Sequence, residues 1–588
     1  MSRNVRNYLI MGLALSLLFL MFSLTVIVPA PVHAETISNE QIGELTVFHQ
    51  NYSVQGITDN IFPADPLVHT CIANYTLSYN NEKKAVEFHT WQGNTYYLYI
   101  GKLYPAVQTK YYITLDYDYG NWNDKLYIHF PFAWLIVQKY DDGTFTLRFN
   151  RYADNGTVEQ TNYVGIQYEG IIPLIVEWNG VNKTVHITLA NNNTVSIWQD
   201  STYSEVRNLP YPELSGTYVC IINLISSYDP GTGMHTYLYE LKQTIPRYTI
   251  TALPRNNLQA FGFDKPCPWN TVQNGFKYLD EKGYRATIFF DINAEWASNA
   301  TVKQYLQNYI NNKSWEVGIH YTHHLTDGYD SLASVYENMT KEYNQVKDNF
   351  SAPLTFCSLG NRDNVTHAQY AYSNLGMLWR NAKGSGIKSI PNIGGLNDNH
   401  WHFWDIASQH GFVYPCFAHE TDLDPAIDYS ISWSKFTTWV DRAKEHGIQI
   451  IPFAEYYYIN ANQHDFYATN IQKGDGYLKF TAHTNSYKAY VDVAYTPTAN
   501  TIVKDLTTGK IINWQKGSVQ FWVEDGHTYE IYNITGSTSS GSTPAGNSAW
   551  YGWLFNTVRI GPWTVPLWVL IVLVTILLSL VLFVLRRR

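Results

Sequence analysis

Between Tyr248 and Ile459 the hydrophobic pattern takes a form that few folds can accept. Short apolar runs at 258–263, 286–290, 315–319, 354–358, 387–390, 412–418 and 448–453 alternate with amphipathic stretches such as 272–282 and 433–446. Gly283 and Gly447 stop those two stretches, as a glycine in the left-handed region stops a helix. Strand and helix in regular alternation predict a parallel sheet with helices outside, curled into a barrel. In such folds, chemistry gathers at the carboxyl ends of the strands.

The flanking regions read differently. Residues 35–247 are rich in alternating β-branched and aromatic runs, such as 95–100, 125–130 and 184–189, punctuated by Asp142-Gly143 and Asn155-Gly156. They predict an all-β sandwich of jelly-roll type, a shape that also suits carbohydrate binding. A small β domain is expected at 474–533, followed by a Gly/Ser/Thr linker at 536–548. The fold class expected is therefore multidomain: an N-terminal sandwich, a central α/β barrel at 248–460, and a small C-terminal β domain.

The two ends predict a location. Arg3 and Arg6 precede an apolar run and a small-residue site at Pro31-Val32-His33-Ala34, so 1–34 reads as a signal peptide. Residues 565–585 are uncharged and apolar, and Arg586, Arg587 and Arg588 follow. They read as a C-terminal transmembrane helix with its basic tail in the cytoplasm and the ectodomain outside the cell. Eleven Asn-x-Ser/Thr sequons agree with an exterior setting. A net charge of −9 argues against a nucleic-acid partner. The five cysteines contain no CxxC, so no thiolate zinc site is indicated; Cys71 and Cys220 could pair.

The stretch Trp315-Glu316-Val317-Gly318-Ile319-His320-Tyr321-Thr322-His323-His324 reads as a buried strand ending in a His-rich turn. If the chain turns helically after the strand, His320 and His324 share one face and can hold a divalent ion with a third ligand from elsewhere. With 19 histidines in 588 residues, about 0.6 such pairs arise by chance, so position rather than spacing carries the reading.

Glu316-Val317-Gly318-Ile319-His320, with His324 four residues on, resembles the metal-binding segment of polysaccharide deacetylases with the NodB homology domain, carbohydrate esterase family 4. Ala286-Thr287-Ile288-Phe289-Phe290 resembles the family's second strand, and Phe417-Ala418-His419-Glu420 its last catalytic segment. The resemblance spans roughly 200 residues. It implies a distorted (β/α)7 barrel, one divalent ion, with zinc expected, and hydrolysis of the N-acetyl C–N bond of a glycan.

Phe263-Asp264-Lys265-Pro266 stands where the family carries its base and its metal-binding aspartate. Matching on the proline makes Asp264 the ligand, with His320 and His324, and leaves Phe263 where the base belongs. Shifting by one makes Asp264 the base and Lys265 a non-ligand cation. The resemblance further implies His419 as general acid and Arg362 as the residue that orients the base. Asp291 is a substitute acid or base, and Trp401 or Trp404 could stack on a sugar. The expected partners are a glycan substrate, a cell-surface or envelope layer, and the membrane through the C-terminal helix. Two other functions fit the same sequence. One is a glycan-binding or envelope protein that keeps the barrel without the activity. The other is a carbohydrate hydrolase using carboxylates such as Glu420, Asp422 or Glu455.

Overall fold

The structure is a computed structural model. It describes residues 35–533 apart from internal stretches, the longest being 64–74, 101–108, 119–124, 200–219, 226–233, 322–330, 359–364 and 382–388. Beyond them it describes Thr557–Ile560 and Trp563–Pro566. The expected signal peptide, the linker and Cys71 lie outside the described residues. The chain divides into two compact units, Met1–Asn533 and Ile534–Arg588.

Two antiparallel sheets fill most of the region before residue 248. In one, Lys110–Asp118 lies between Ile172–Asn179 and the long strand Met234–Tyr248. In the other, Lys125–Phe130 lies between Ala133–Lys139 and Cys220–Ile225. Along Lys110–Asp118, Tyr111, Ile113, Leu115 and Tyr117 are buried while the residues between them are partly exposed. That period of two brings Ile113 and Leu115 of one sheet into the same core as Leu126, Ile128, Leu135 and Phe145 of the other.

The central sheet carries the candidate site. Its strands are β1 (Leu258–Asp264), β2 (Thr287–Phe290), β3 (Glu316–Tyr321), β4 (Thr355–Ser358), β5 (Leu378–Asn381), β6 (Ser389–Pro391), β7 (Gly394–Gly395), β8 (Cys416–Ala418) and β9 (Gln449–Ile451). Their order is β6-β5-β4-β3-β2-β1-β8-β7, with β9 also on β1, and every pairing is parallel. Helices α1 (Gln273–Glu281), α2 (Ala300–Lys313), α3 (Leu332–Asn349), α4 (Val365–Leu375), α5 (Trp401–Gln409), α6 (Trp433–Glu445) and α7 (Phe453–Asp465) complete the region.

Side chains alternate across this sheet and make two cores. Phe261, Phe263, Ile288, Phe290, Val317 and Ile319 face α1, α2 and α6. Leu258, Ala260, Phe289, Cys357, Leu378 and Ile390 face inward against α7. Every strand residue of β1 to β4 is buried, as expected of parallel strands covered on both faces.

Two expectations are corrected here. The (β/α)7 barrel is not closed: the region is a parallel half-barrel of nine strands, and no pairing among the described residues joins its two edges. The edges are the three-residue β6 and the two-residue Gly394–Gly395, too short and too bare to make a closing ladder. The C-terminal transmembrane helix is also overturned. No helix among the described residues is long and apolar enough to cross a membrane. Residues 565–585 open in an antiparallel hairpin strand, Trp563–Pro566, where β-branched Thr564 and Val565 favour extended backbone. Residues 567–588 lie outside the described residues.

The small β region draws on distant parts of the chain. Glu35–Ile37 pairs with Tyr467–Gly474, and Ile250–Leu253 pairs with Ala489–Val493. Residues on both sides of the long sandwich segment thus meet in the sheets beyond the half-barrel.

Candidate active site

The inward face of the half-barrel ends in a polar cluster at the carboxyl ends of its strands. Asp264 is the last residue of β1, and its even-numbered companions Leu258 and Ala260 lie in the inward core. The same alternation turns His320 of β3, Cys357 of β4 and Arg380 of β5 to that side. His320 sits opposite Cys357 in the β3–β4 register.

Arg380 dominates the cluster. Its two terminal nitrogens donate to the two oxygens of Asp264, Nη1 to Oδ1 and Nη2 to Oδ2, the second at 2.7 Å. Both residues are only 2% exposed, so the pair is a desolvated, bidentate one. Three aromatic rings bed the guanidinium: Phe289 at 4.3 Å, Phe417 at 4.5 Å and Phe453 at 5.7 Å from its carbon to the ring centres. Space for the Phe289 ring comes from two glycines. A Cβ on Gly262 would stand 2.6 Å from that ring, and one on Gly318 2.7 Å.

Burial would raise the Asp264 carboxyl, but the charge and hydrogen bonds of Arg380 override it and hold the group below the usual carboxylate range. His320 behaves oppositely. Its Nε2 lies 3.8 Å from Asp264 Oδ2, and its Nδ1 has no hydrogen-bond partner among the described residues. Burial pushes the imidazole down to about 4. Asp264 opposes this, and Arg380, Lys265 and His419 add to it. His320 is therefore neutral at physiological pH.

A second ion pair borders the first. Lys265 Nζ lies 2.7 Å from Asp291, whose side chain is buried. Lys265 has φ +48, a left-handed backbone that a non-glycine residue adopts at a cost of roughly 1 kcal/mol or more. The Asp291 carboxylate also accepts from Asn293 N at 2.8 Å. His419 follows β8 and is partly exposed; its ring meets Phe417 edge-on at 5.6 Å.

These placements sort the residues expected from sequence. Asp264, His320, Asp291 and His419 come together. His324 and Arg362 lie outside the described residues. His320 itself stands within β3, which runs on to Tyr321, rather than in a helical turn. Trp404 on α5 is buried in the outer core and donates to Gly395 O at 3.1 Å, so its faces pack against protein. Trp401 is partly buried, with Lys435 Nζ 5.8 Å from its ring centre. The carboxylates of the alternative hydrolase do not converge. Asp422 receives Asn274 N and Gly275 N at the start of α1, Glu420 bonds Ser430, and Glu455 pairs with Arg285. Phe263 faces away from the cluster, stacked on Trp315 and packed at a tilt against Phe276 and Phe436.

Sequence reasoning missed Arg380 and Cys357, and named Lys265 only as a non-ligand cation in the shifted register. One signal was present for Arg380: Gly376 ends the α4 stretch, and Met377-Leu378-Trp379 reads as a short buried strand before the arginine.

A metal site can be sought among these residues. Asp264, His320 and Cys357 offer ligand atoms within 4.8 Å of one another. Arg380 nevertheless occupies both Asp264 oxygens and brings a full positive charge to the spot where an ion would bind. The donors as arranged do not fit a divalent ion.

No family model matches the chain, and no curated protein matches it. Solved structures similar to it include several proteins of carbohydrate esterase family 4, a peptidoglycan deacetylase and a sialidase. The Xyl-CE4 domain of a multidomain xylanase from the hindgut metagenome of Trinervitermes trinervoides is 14% identical, over 34% of this chain and 89% of that one, at a TM-score of 0.26. Peptidoglycan deacetylase PdaC from Bacillus subtilis is 13% identical, over 34% and 88%, at 0.25. A CE4 family pseudoenzyme from Bacillus anthracis is 10% identical, over 34% and 65%, at 0.24. Likenesses this slight decide neither fold nor chemistry, which rest on the residues described above.

Proposed function

We propose that the cluster is the centre of a polysaccharide-deacetylase-like hydrolase that removes acyl groups, N-acetyl above all, from a glycan outside the cell. One observation carries this reading. Asp264 and His320, from strands β1 and β3, and His419, just past β8, are far apart in sequence and meet at the carboxyl ends of a parallel sheet, beside two fixed cations. The exterior setting is supported by the signal-like N-terminus and the eleven sequons.

In this reading Asp264 is the base and is kept ionised by Arg380. It takes a proton from water as the water oxygen bonds to the acyl carbon. His419, the partly exposed imidazole of the set, gives a proton to the leaving nitrogen as the C–N bond breaks, so acetate and a free amine result. Neutral His320 can donate or accept one hydrogen bond without adding charge. Asp291 and Lys265 fix the rim.

The test is acetate release from N-acetylated chitin oligomers. Asp264→Asn should lower the rate by roughly 10²–10⁴, the usual worth of a general base. Unchanged acetate release in that variant would sink the assignment.

A second reading is favoured by the same pair. Asp264 has both oxygens engaged, and Asp264, His320 and Arg380 are at most 3% exposed. A glycan-binding protein with a disabled centre would bind the oligomers in a titration yet release no acetate.

A further inference from the structure

We infer that Arg380 holds the place on Asp264 that a divalent ion would take, so that this centre carries a built-in cation and works, or binds, without metal. The inference deepens the hydrolase reading by assigning the source of positive charge. Its test is independent of catalysis.

Four observations converge on it. The guanidinium meets the carboxylate edge to edge, Nη1 on Oδ1 and Nη2 on Oδ2, which directs a donor at each oxygen. A bidentate fork of this kind is specific to arginine; an ammonium is a point charge and could not span both oxygens. Next, the guanidinium is caged by Phe289, Phe417 and Phe453. Gly262 and Gly318 leave the space in which the Phe289 ring lies. An arginine so bedded cannot swing away without leaving three rings unpacked.

The third observation is charge. Asp264 is paired with Arg380, and Asp291 with Lys265, so each buried carboxylate already has its cation. Adding a divalent ion would leave two uncompensated positive charges in a site only 2–3% exposed, and burying unpaired charge is strongly unfavourable. The fourth is position. Lys265 follows Asp264 directly and is held at φ +48 with its ammonium on Asp291. The carboxylate of Asp291 at the same rim is therefore already engaged by a cation and is not free to hold an incoming ion.

The experiment measures metal on the full-length chain without substrate. The protein is equilibrated with Zn²⁺ or Co²⁺, dialysed, and assayed by elemental analysis, with the visible absorption of Co²⁺ as a second readout. The wild type should retain no stoichiometric ion, and Arg380→Met should gain one, with at least ~10-fold tighter binding. Arg380→Lys, which keeps a cation but not the fork, should gain less. One ion per wild-type chain, lost in both Asp264→Asn and His320→Ala, would overturn the inference, as would a folded Arg380→Met that gains no affinity. An ion kept in both of those variants sits elsewhere and leaves the assignment of Arg380 standing. If Arg380→Met does not fold, the wild-type measurement decides alone. Failure of the hydrolase reading would appear separately, as absent acetate release in a protein whose metal content agrees with the inference.

Discussion

Asp264 and Glu316 are both buried carboxylates on the inward face of the central sheet, one at the carboxyl ends of the strands and one at the amino ends. Asp264 faces a guanidinium and is held below its ordinary value. Among the described residues no cation pairs with Glu316. Its oxygens accept from Thr355 Oγ1 at 2.8 Å and Ala454 N at 2.7 Å, the latter in the first turn of α7. Burial raises it to about 7; hydrogen bonds from Thr355, Ala454 and Thr287 oppose the rise, and the Glu455 charge adds to it. Neutral donors and a helix N-terminus do not offset burial, whereas a bidentate arginine does. The difference teaches where the sheet has invested charge: at the end where chemistry is expected, and not at the end where packing suffices.

The largest effect should come from removing the cation. Arg380→Met leaves Asp264 buried and unpaired. Breaking a buried pair in this way costs about 3–5 kcal/mol. Denaturant unfolding checks it, and a loss below about 1 kcal/mol, the value of an exposed pair, would erase the contrast with Glu316.

Glu316→Gln should act through pH. A raised carboxyl pKa means that the folded protein holds the proton more tightly than the unfolded chain. The stabilisation is therefore fully present below the ordinary glutamate value of 4.5 and is lost as pH rises toward about 7. Each pH unit between those values corresponds to about 1.4 kcal/mol. Glutamine cannot ionise, and its oxygen can accept from Ala454 N while its amide donates to Thr355. The variant should lose the slope between pH 4.5 and 7 and be the more stable protein above it. Parallel stability–pH curves for the two proteins would show that the Glu316 carboxyl titrates alike in the folded and unfolded chain, with no upward shift on burial.

This contrast was only partly legible in the sequence. Asp264 and His320 could be placed because each ends a short apolar run, and a period of two fixes which side chains share a face. Arg380 could not, because β5 has four residues and shows no period. The side-by-side placement of His320 and Cys357 depends on a parallel register set by the whole sheet. The open barrel was hidden for a related reason: closure depends on edge strands of two and three residues. The 565–585 segment was read from its apolar length and the basic tail that follows, neither of which registers the hairpin at Trp563–Pro566. The pairing of Glu35–Ile37 with Tyr467–Gly474 joins residues too far apart for any local pattern to reveal.

A smaller effect is expected at Gly318, which lies between Glu316 and His320 on β3. An alanine Cβ would stand 2.7 Å from Phe289 Cδ1 and 2.8 Å from Thr355 Oγ1. One neighbour supports Arg380 and the other donates to Glu316, so Gly318→Ala presses on both ends of the sheet. Overpacking of this kind costs typically 1–3 kcal/mol. Thermal unfolding reads it, and a neutral result would mean that the Phe289 ring shifts freely, in which case it cannot be fixing the guanidinium.

The smallest effect belongs to an ion pair that lacks the burial on which the comparison depends. Lys277 and Glu281 sit four residues apart on α1, with Nζ 3.8 Å from Oε1 and side chains 71% and 57% exposed. Water solvates both groups before and after folding, so their attraction replaces little and immobilises two long side chains. Lys277→Ala should change stability by less than about 0.5 kcal/mol, and less still in high salt. The helix propensity of alanine matches that of lysine closely enough not to hide the result. Chemical denaturation of this variant beside Arg380→Met therefore isolates desolvation as the cause. If the two variants lost similar amounts, charge pairing alone would explain Asp264, and its difference from Glu316 would no longer report on burial.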